Sequence, residues 1–271
     1  MVIRFMSLAS GSSGNCYYLG QDDQGILIDA GIPIRSIAKA LKAEGIPLDS
    51  THIQGVIVTH EHADHVRTVG VLGGVYHIPI YATERVHHCI ASSRFVSEDV
   101  GASRRIISAR EAFSLAGFRI ESFEVPHDST ENLGYHISSG DDFTFTLATD
   151  IGHVTPEIID YASRARHLVV EANYDHEMLE SGPYPPFLRE RVASPLGHLC
   201  NSDTAELLCQ AFHPEMRNIW LCHLSKDNNH PDLCWKTIEQ RLFCEGIRVG
   251  KDVTLTALKR TSPSPMYLLE P

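Results

Sequence analysis

The sequence predicts an α/β protein with strands in two sets and helices interspersed. Three observations predict it. Short apolar, β-branched runs recur at residues 26–28, 56–58, 118–125, 146–149 and 219–222, each of strand length. Helical periodicity fills the intervals between several of them. Most of these runs stop on Asp29, Thr59-His60, His127, Asp150 or His223, and an open α/β sheet builds a site in this way, from groups at the carboxyl ends of its strands.

In chain order, residues 4–9 and 16–19 read as strands joined by Ser10-Gly11-Ser12-Ser13-Gly14-Asn15. That segment serves either as a hairpin connection of small residues or as a set of backbone N–H groups for a phosphate or base; it lacks the lysine of a P-loop. Pro33 opens a helix with Ile34, Ile37, Ala38 and Leu41 on one face, and Gly45 ends it. Thr83 caps a second helix with Val86, Cys89 and Ile90 inward, while His87, His88 and His176 read as surface residues. Asn201 or Ser202 caps a third, reaching Phe212, and Pro231 opens a fourth with Leu233, Ile238 and Leu242 inward. The tail after Lys259 carries Pro263, Pro265 and Pro271 and reads as extended. No linker or repeat interrupts the chain, so residues 1–271 are expected to form one domain.

Composition narrows the class. The chain has 271 residues, enough for a large core, and a formal net charge of −11, which argues against nucleic-acid binding through overall charge while leaving room for a local basic patch. No apolar run reaches membrane-spanning length and the N-terminus lacks the apolar core of a signal peptide, so neither a membrane span nor a leader is expected. Seven scattered cysteines without a Cys-x-x-Cys pair argue against a disulfide framework and for a reducing cytoplasm.

The densest chemistry is Thr59-His60-Glu61-His62-Ala63-Asp64-His65. At the end of an extended segment, residues two apart point the same way, so His60 and His62 can converge on one ion. Asp64 and His65 follow where the chain turns helical and can reach a second. Imidazoles with a carboxylate suit zinc, manganese or iron better than calcium or magnesium. Asp29, ending its own apolar strand, either orients a ligand histidine or the turn, or makes an Asx-turn.

The His-x-His-x-Asp-His set resembles the signature of the metallo-β-lactamase superfamily. The resemblance implies an αββα sandwich and two divalent metal ions. It implies that His60, His62 and His127 hold one ion, that Asp64, His65 and His223 hold the other, and that Asp150 bridges them. Within the superfamily, Ser7 to Cys16, Glu171-Ala172-Asn173-Tyr174-Asp175, Gly182-Pro183-Tyr184-Pro185, Leu196-Gly197-His198-Leu199-Cys200-Asn201 and His223 to Asn229 look like the YycJ/WalJ-type family. Cys200 and Cys222 depart from the serine and alanine usual there. That likeness implies a cytoplasmic 5′-to-3′ DNA exonuclease linked to mismatch repair, with nucleic acid as substrate and repair proteins as partners.

The chemistry expected of such a site is in-line attack by a hydroxide held between the ions. Asp64 orients the water or takes its proton, His198 protonates the departing oxygen, and Glu171 orients His198. His153 is a further candidate beside Asp150. Ser225, Asn228 and Asn229 either contact substrate or cap the helix at Pro231. Tyr184, Phe187, Arg189 and Arg191 form either an aromatic and basic edge for single-stranded nucleic acid or a solvated loop face. The alternative activity is hydrolysis of a small ester, lactone or thioester; a non-catalytic metal-stabilised interaction module has no use for a complete water-activating site. No long insertion separates Asp150 from His223 as in β-CASP nucleases, so an open groove is expected.

Overall fold

Alternation along the strands explains why the apolar runs are continuous. In the computed structural model, which describes residues 2–270, odd and even residues of one strand enter different cores. Val169, Trp220 and Cys222 face the space between two sheets, whereas Leu168, Val170, Ile219 and Leu221 face helices. Both faces are buried, so no polar alternation is left to see.

The first sheet contains β1 (Ile3–Ala9), β2 (Cys16–Gln21), β3 (Gln24–Ile28), β4 (Ile53–Ile57), β5 (Ile80–Ala82) and β6 (Arg104–Ile106). The second contains β7 (Phe113–Leu115), β8 (Phe118–Glu124), β9 (Leu133–Ser139), β10 (Phe143–Ala148), β11 (His167–Glu171), β12 (Asn218–Cys222) and β13 (Thr254–Ala257). β14 (Tyr267–Leu269) returns to the first sheet and pairs antiparallel with β1, Ile3 opposite Leu269. The orders are β14-β1-β2-β3-β4-β5-β6 and β13-β12-β11-β10-β9-β8-β7. Pairing is antiparallel from β1 to β3 and from β7 to β10, then parallel from β3 to β6 and from β10 to β13.

The sheets meet through aromatic side chains. The Phe5 ring centroid lies 4.6 Å from Trp220 and 5.1 Å from Phe145, and all three are fully buried. Removing the Trp220 side chain is expected to cost about 3–5 kcal/mol. Nine helices are described: α1 (Ile34–Ala43), α2 (Ala63–Val66), α3 (Val69–Gly74), α4 (Glu84–Ser92), α5 (Pro156–Ser163), α6 (His176–Ser181), α7 (Pro186–Val192), α8 (Asn201–Ala211) and α9 (Pro231–Cys244). Ile37, Leu41, Val69, Leu72, Val86 and Ile90 cover the outer face of the first sheet. Ile158, Leu207, Leu208, Ile238 and Leu242 cover that of the second. The result is the αββα sandwich.

Several local expectations change. Ala40 rather than Ala38 is buried on α1, and Cys89 is only half-buried on α4. His87 is buried, bonded through Nε2 to the Arg105 carbonyl, because α4 packs against β6; His88 and His176 are exposed. The α8 cap is Cys200, whose Sγ accepts from Asp203 N, and Asn201 begins the helix. On α9 Cys234 points inward and Leu233 does not. The tail is extended as expected, but it closes a sheet edge. All seven cysteines are free thiols. No helix among the described residues is long and apolar enough to cross a membrane.

Candidate metal centre

The backbone carries the site at strand ends. Asp29, Asp150 and His223, just beyond β3, β10 and β12, all have φ between +53° and +59°. Non-glycine residues rarely adopt this region, and where they do the surroundings hold them there. Asp150 and His223 lie in the cluster of metal-capable groups, and Asp29 lies beneath it.

The four ligands expected from the 60–65 segment come from one short stretch. His60 and His62 lie on extended chain, His62 being the N-cap of α2, and their ring centroids are 4.7 Å apart. Asp64 and His65 lie in the first turn of α2. Gly31 lets this turn approach β3: a Cβ there would fall 1.6 Å from the Asp64 carbonyl oxygen. The second half supplies one group per strand: His127 after β8, Asp150 after β10, Glu171 at the end of β11 and His223 after β12. Gly152 plays the matching part, since a Cβ there would meet the Pro195 carbonyl oxygen at 2.3 Å.

The structure brings the sequence-derived residues together. Ligand-capable atoms of His60, His62 and His127 lie within 4.8 Å of one another, as do those of Asp64, His65 and His223, and those of His60, His65 and Asp150. Asp150 stands between the two groups, with Oδ2 3.3 Å from His65 Nε2 and Oδ1 3.7 Å from His127 Nε2.

Hydrogen bonds set which ring nitrogen faces the centre. His65 Nδ1 donates to Asp29 Oδ2 at 2.7 Å, His127 Nδ1 to the Gly197 carbonyl at 3.0 Å, and His223 Nδ1 to Glu171 Oε1 at 3.0 Å. Each bond leaves Nε2 for the cluster. Thr59 Oγ1 donates to Asp29 Oδ2, so it accepts from His60 Nδ1 at 3.0 Å. His60 Nε2 is then buried with no hydrogen-bond partner among the described residues. A buried, unpartnered acceptor costs about 1–3 kcal/mol, and a metal ion is the partner that this donor set fits. Asp29 therefore orients the ligand candidate His65 and the Thr59 turn; it also accepts from Thr59 N at 2.8 Å. It is an orienting residue and not an Asx-turn.

The electrostatics are those of a buried cluster of imidazoles and carboxylates. Burial, with the neighbouring imidazoles, holds His60 well below its ordinary value, and burial lowers His127. Burial also pulls on His65, but the Asp150, Asp29 and Asp64 carboxylates outweigh it and raise the ring well above the usual range. His223 is raised to about 10 against burial, by Asp150, Asp64 and Glu171. Asp150 is held well below the carboxylate range: burial opposes this, and His223 and His65 outweigh it.

Glu171 is fully buried and fully engaged. Its Oε1 accepts from His198 Nδ1 at 2.8 Å and from His223; its Oε2 accepts from Ile151 N at 2.7 Å and Leu199 N at 3.1 Å. It positions both histidines. The His198 ring lies 5.2 Å from those of His127 and His223, and the side chain keeps 17% of its exposure.

Other candidates fall elsewhere. His153 bonds the Pro195 carbonyl and lies outside the cluster. Ser225, Asn228 and Asn229 are buried and brace turns: Asn229 Nδ2 donates to the Ala172 and Asn173 carbonyls, and His230 caps α9. In the Ser10–Asn15 loop, the Ser10, Gly11, Gly14 and Asn15 N–H groups bond Lys259 O, Asn15 Oδ1, Gly11 O and Asp64 O, so these four brace the loop. Its Ser10 Oγ accepts from His223 N at 2.9 Å, and Asn15 Nδ2 lies 3.0 Å from His65 Nε2. In the sequence Asn15 reads only as a turn residue, because its reach to His65 depends on a segment 50 residues away.

A family description, the beta-lactamase superfamily domain, matches residues 24–224, and the chain belongs to that superfamily as a metal-dependent hydrolase. Within it the chain is of the YycJ/WalJ type. It is 33% identical over 251 residues to exodeoxyribonuclease YycJ of Bacillus anthracis, covering 93% of each chain. It is 33% identical over 263 residues to exodeoxyribonuclease WalJ of Streptococcus pneumoniae serotype 2, covering 97% of each. Among solved structures, zinc-bound PqqB from Methylobacterium extorquens superposes with a TM-score of 0.73 at 17% identity, covering 96% of this chain and 99% of that one. YhfI from Bacillus subtilis gives 0.70 at 14% identity, covering 97% and 99%. At those identities the structures show the shared fold.

Proposed function

We propose that this protein is a phosphodiesterase dependent on two divalent metal ions, zinc or manganese, and acts as a 5′-to-3′ DNA exonuclease in DNA repair. One observation carries the phosphodiesterase reading: the His198–Glu171 pair stands beside a full set of metal-capable residues, and Glu171 ties it to His223. The names of the relatives, 33% identical over nearly the whole chain, favour DNA as the substrate.

His60, His62 and His127 would hold one ion, Asp64, His65 and His223 the other, with Asp150 shared. When bound, such ions lower the pKa of water toward about 7 and offset charge on the transferring phosphoryl group. The chain's own groups do the rest. Asp64, with 22% of its side chain exposed, faces the cleft and takes the proton of the attacking water. Glu171 accepts from His198 Nδ1 and leaves Nε2 free of any protein partner among the described residues, so that the imidazolium form of the ring gives its Nε2 proton to the departing oxygen and is left as the neutral Nδ1–H imidazole.

The decisive assay uses end-labelled single- and double-stranded DNA and RNA with zinc, manganese and magnesium in turn. Stepwise release of nucleotides from one DNA end is expected; no cleavage with any metal, alongside rapid lactone or thioester hydrolysis, would falsify the nuclease reading. His198→Ala with metal content intact is expected to lower kcat about 100-fold or more, and unchanged turnover would remove His198 from the chemistry.

A further inference from the structure

The ligand His127 is followed by a carboxylate that the metal centre does not need. Asp128 Oδ1 lies 3.2 Å from His127 Nε2 and is buried without a hydrogen-bond partner among the described residues. Its other oxygen accepts from Arg191 Nε at 2.5 Å. Arg191 is at the end of α7, and more than half of its side chain is exposed. Among the described residues no other carboxylate pairs with it, so the two terminal amino groups of its fork remain open.

The surrounding backbone fixes this arginine relative to the reacting groups. Asp128 N donates to the Leu196 carbonyl at 2.9 Å, His198 N to the Val192 carbonyl at 2.9 Å, and His127 Nδ1 to the Gly197 carbonyl. Arg191, Asp128, His127 and His198 are thus one fastened assembly. Gly197 permits it: a Cβ there would meet the Arg191 and Val192 carbonyl oxygens at 2.3 and 2.2 Å. Asp64, across the cleft, is close enough for its charge to act on the Arg191 guanidinium.

Stability alone does not account for the pair. Exposed ion pairs contribute little to stability, and this one keeps a carboxylate oxygen buried and unpartnered beside a metal-ligand candidate. A guanidinium held through Nε presents its terminal amino groups as a planar fork, the geometry that grips phosphate with two parallel bonds. A chain with a net charge of −11 also has to place positive charge locally where a polyanion docks.

We infer that Arg191, anchored by Asp128 at the rim of the metal centre, is a binding site for a backbone phosphate of the nucleic acid, next to the one being hydrolysed. The inference rests on the nuclease reading and adds to it the group that grips the strand. Phe187, on the same helix, is 71% exposed and offers a ring on which a base could stack.

The test compares wild type, Arg191→Ala, Arg191→Lys, Asp128→Asn and the distant control Arg119→Ala on an end-labelled oligonucleotide at several salt concentrations. For Arg191→Ala the expected result is a KM about tenfold higher, a kcat within about threefold, and a salt slope smaller by about one. Arg191→Lys restores the slope but only part of KM, Asp128→Asn falls between, and Arg119→Ala matches wild type. Wild-type cleavage with an unchanged KM and salt slope in Arg191→Ala overturns the phosphate site and leaves the nuclease reading standing. A thermal midpoint lowered by about 5 °C or more in both Arg191 variants, with the salt slope unchanged, makes the pair a structural latch and also overturns it. A wild type that cleaves no nucleic acid defeats both.

Discussion

The two sheets repeat one plan and use it differently. In each, an antiparallel run gives way to parallel strands, and at the changeover the chain turns through an aspartate with positive φ followed by a small or apolar residue and a glycine: Asp29-Ala30-Gly31 after β3, Asp150-Ile151-Gly152 after β10. Both glycines give way to the backbone of a loop that carries site residues. Yet Asp29 is wholly enclosed and bonds Thr59 and His65, whereas Asp150 faces the ligand cluster. The same corner supports ligand candidates in the first half and is itself one in the second. The first half delivers its candidates from a single turn, with Asp29 as a brace beneath them. The second delivers one per strand, and the strands themselves are the brace.

The largest expected effect breaks the comparison at its centre. Asp150→Ala is expected to lower kcat on the order of a thousand-fold and to reduce bound metal per chain, measured by elemental analysis. Asp29→Ala, at the equivalent corner, should weaken metal affinity by about 10–100-fold, with activity recoverable at high metal. Equal, unrecoverable losses in both would show that the corners do not differ in role. Next come the glycines. Gly31→Ala should destabilise the protein by about 3 kcal/mol or more by denaturant titration, because backbone blocks the new methyl group, and Gly152→Ala by less.

The smallest expected effect concerns acid. The second sheet holds His136 and His167, each lowered to about 4 by burial. Their folded pKa lies below the unfolded value of about 6.5, so the unfolded chain takes up protons first as pH falls. Stability from keeping them neutral is complete above about 6.5, declines from there, and stops declining below about 4. His136→Gln should therefore flatten the loss of stability between pH 6 and 5 by about 1 kcal/mol per pH unit; an unchanged slope would mean that this ring is protonated in the folded state as well.

The halves also differ in how much the sequence discloses. His60, His62, Asp64 and His65 are legible because they lie together and extended geometry converges neighbours two apart. His127, Asp150 and His223 are legible only as polar stops to apolar strands, a pattern that Asp29 shares, so local sequence cannot tell brace from ligand. Glu171 and His198 lie 27 residues apart, and only parallel pairing of β10, β11 and β12 brings them to the cluster. The buried position of His87, the reach of Asn15 and the Asp128–Arg191 pair depend on contacts between distant segments, for which periodicity has no signal. The cap of α8 was missed because cysteine is a poor cap by type and serves here through its sulfur.

Placing His223 just after β12 has a consequence for how the protein is made. A chain synthesised from its N-terminus exposes the turn bearing His60 to His65 first, and His223 only when four-fifths of the polypeptide has been made. The early portion carries four of the candidate ligands, yet the cluster is complete only when the late strands dock. A chain that stops short of β11 lacks both Glu171 and His223, so the candidate centre gains its last groups from the strands made late.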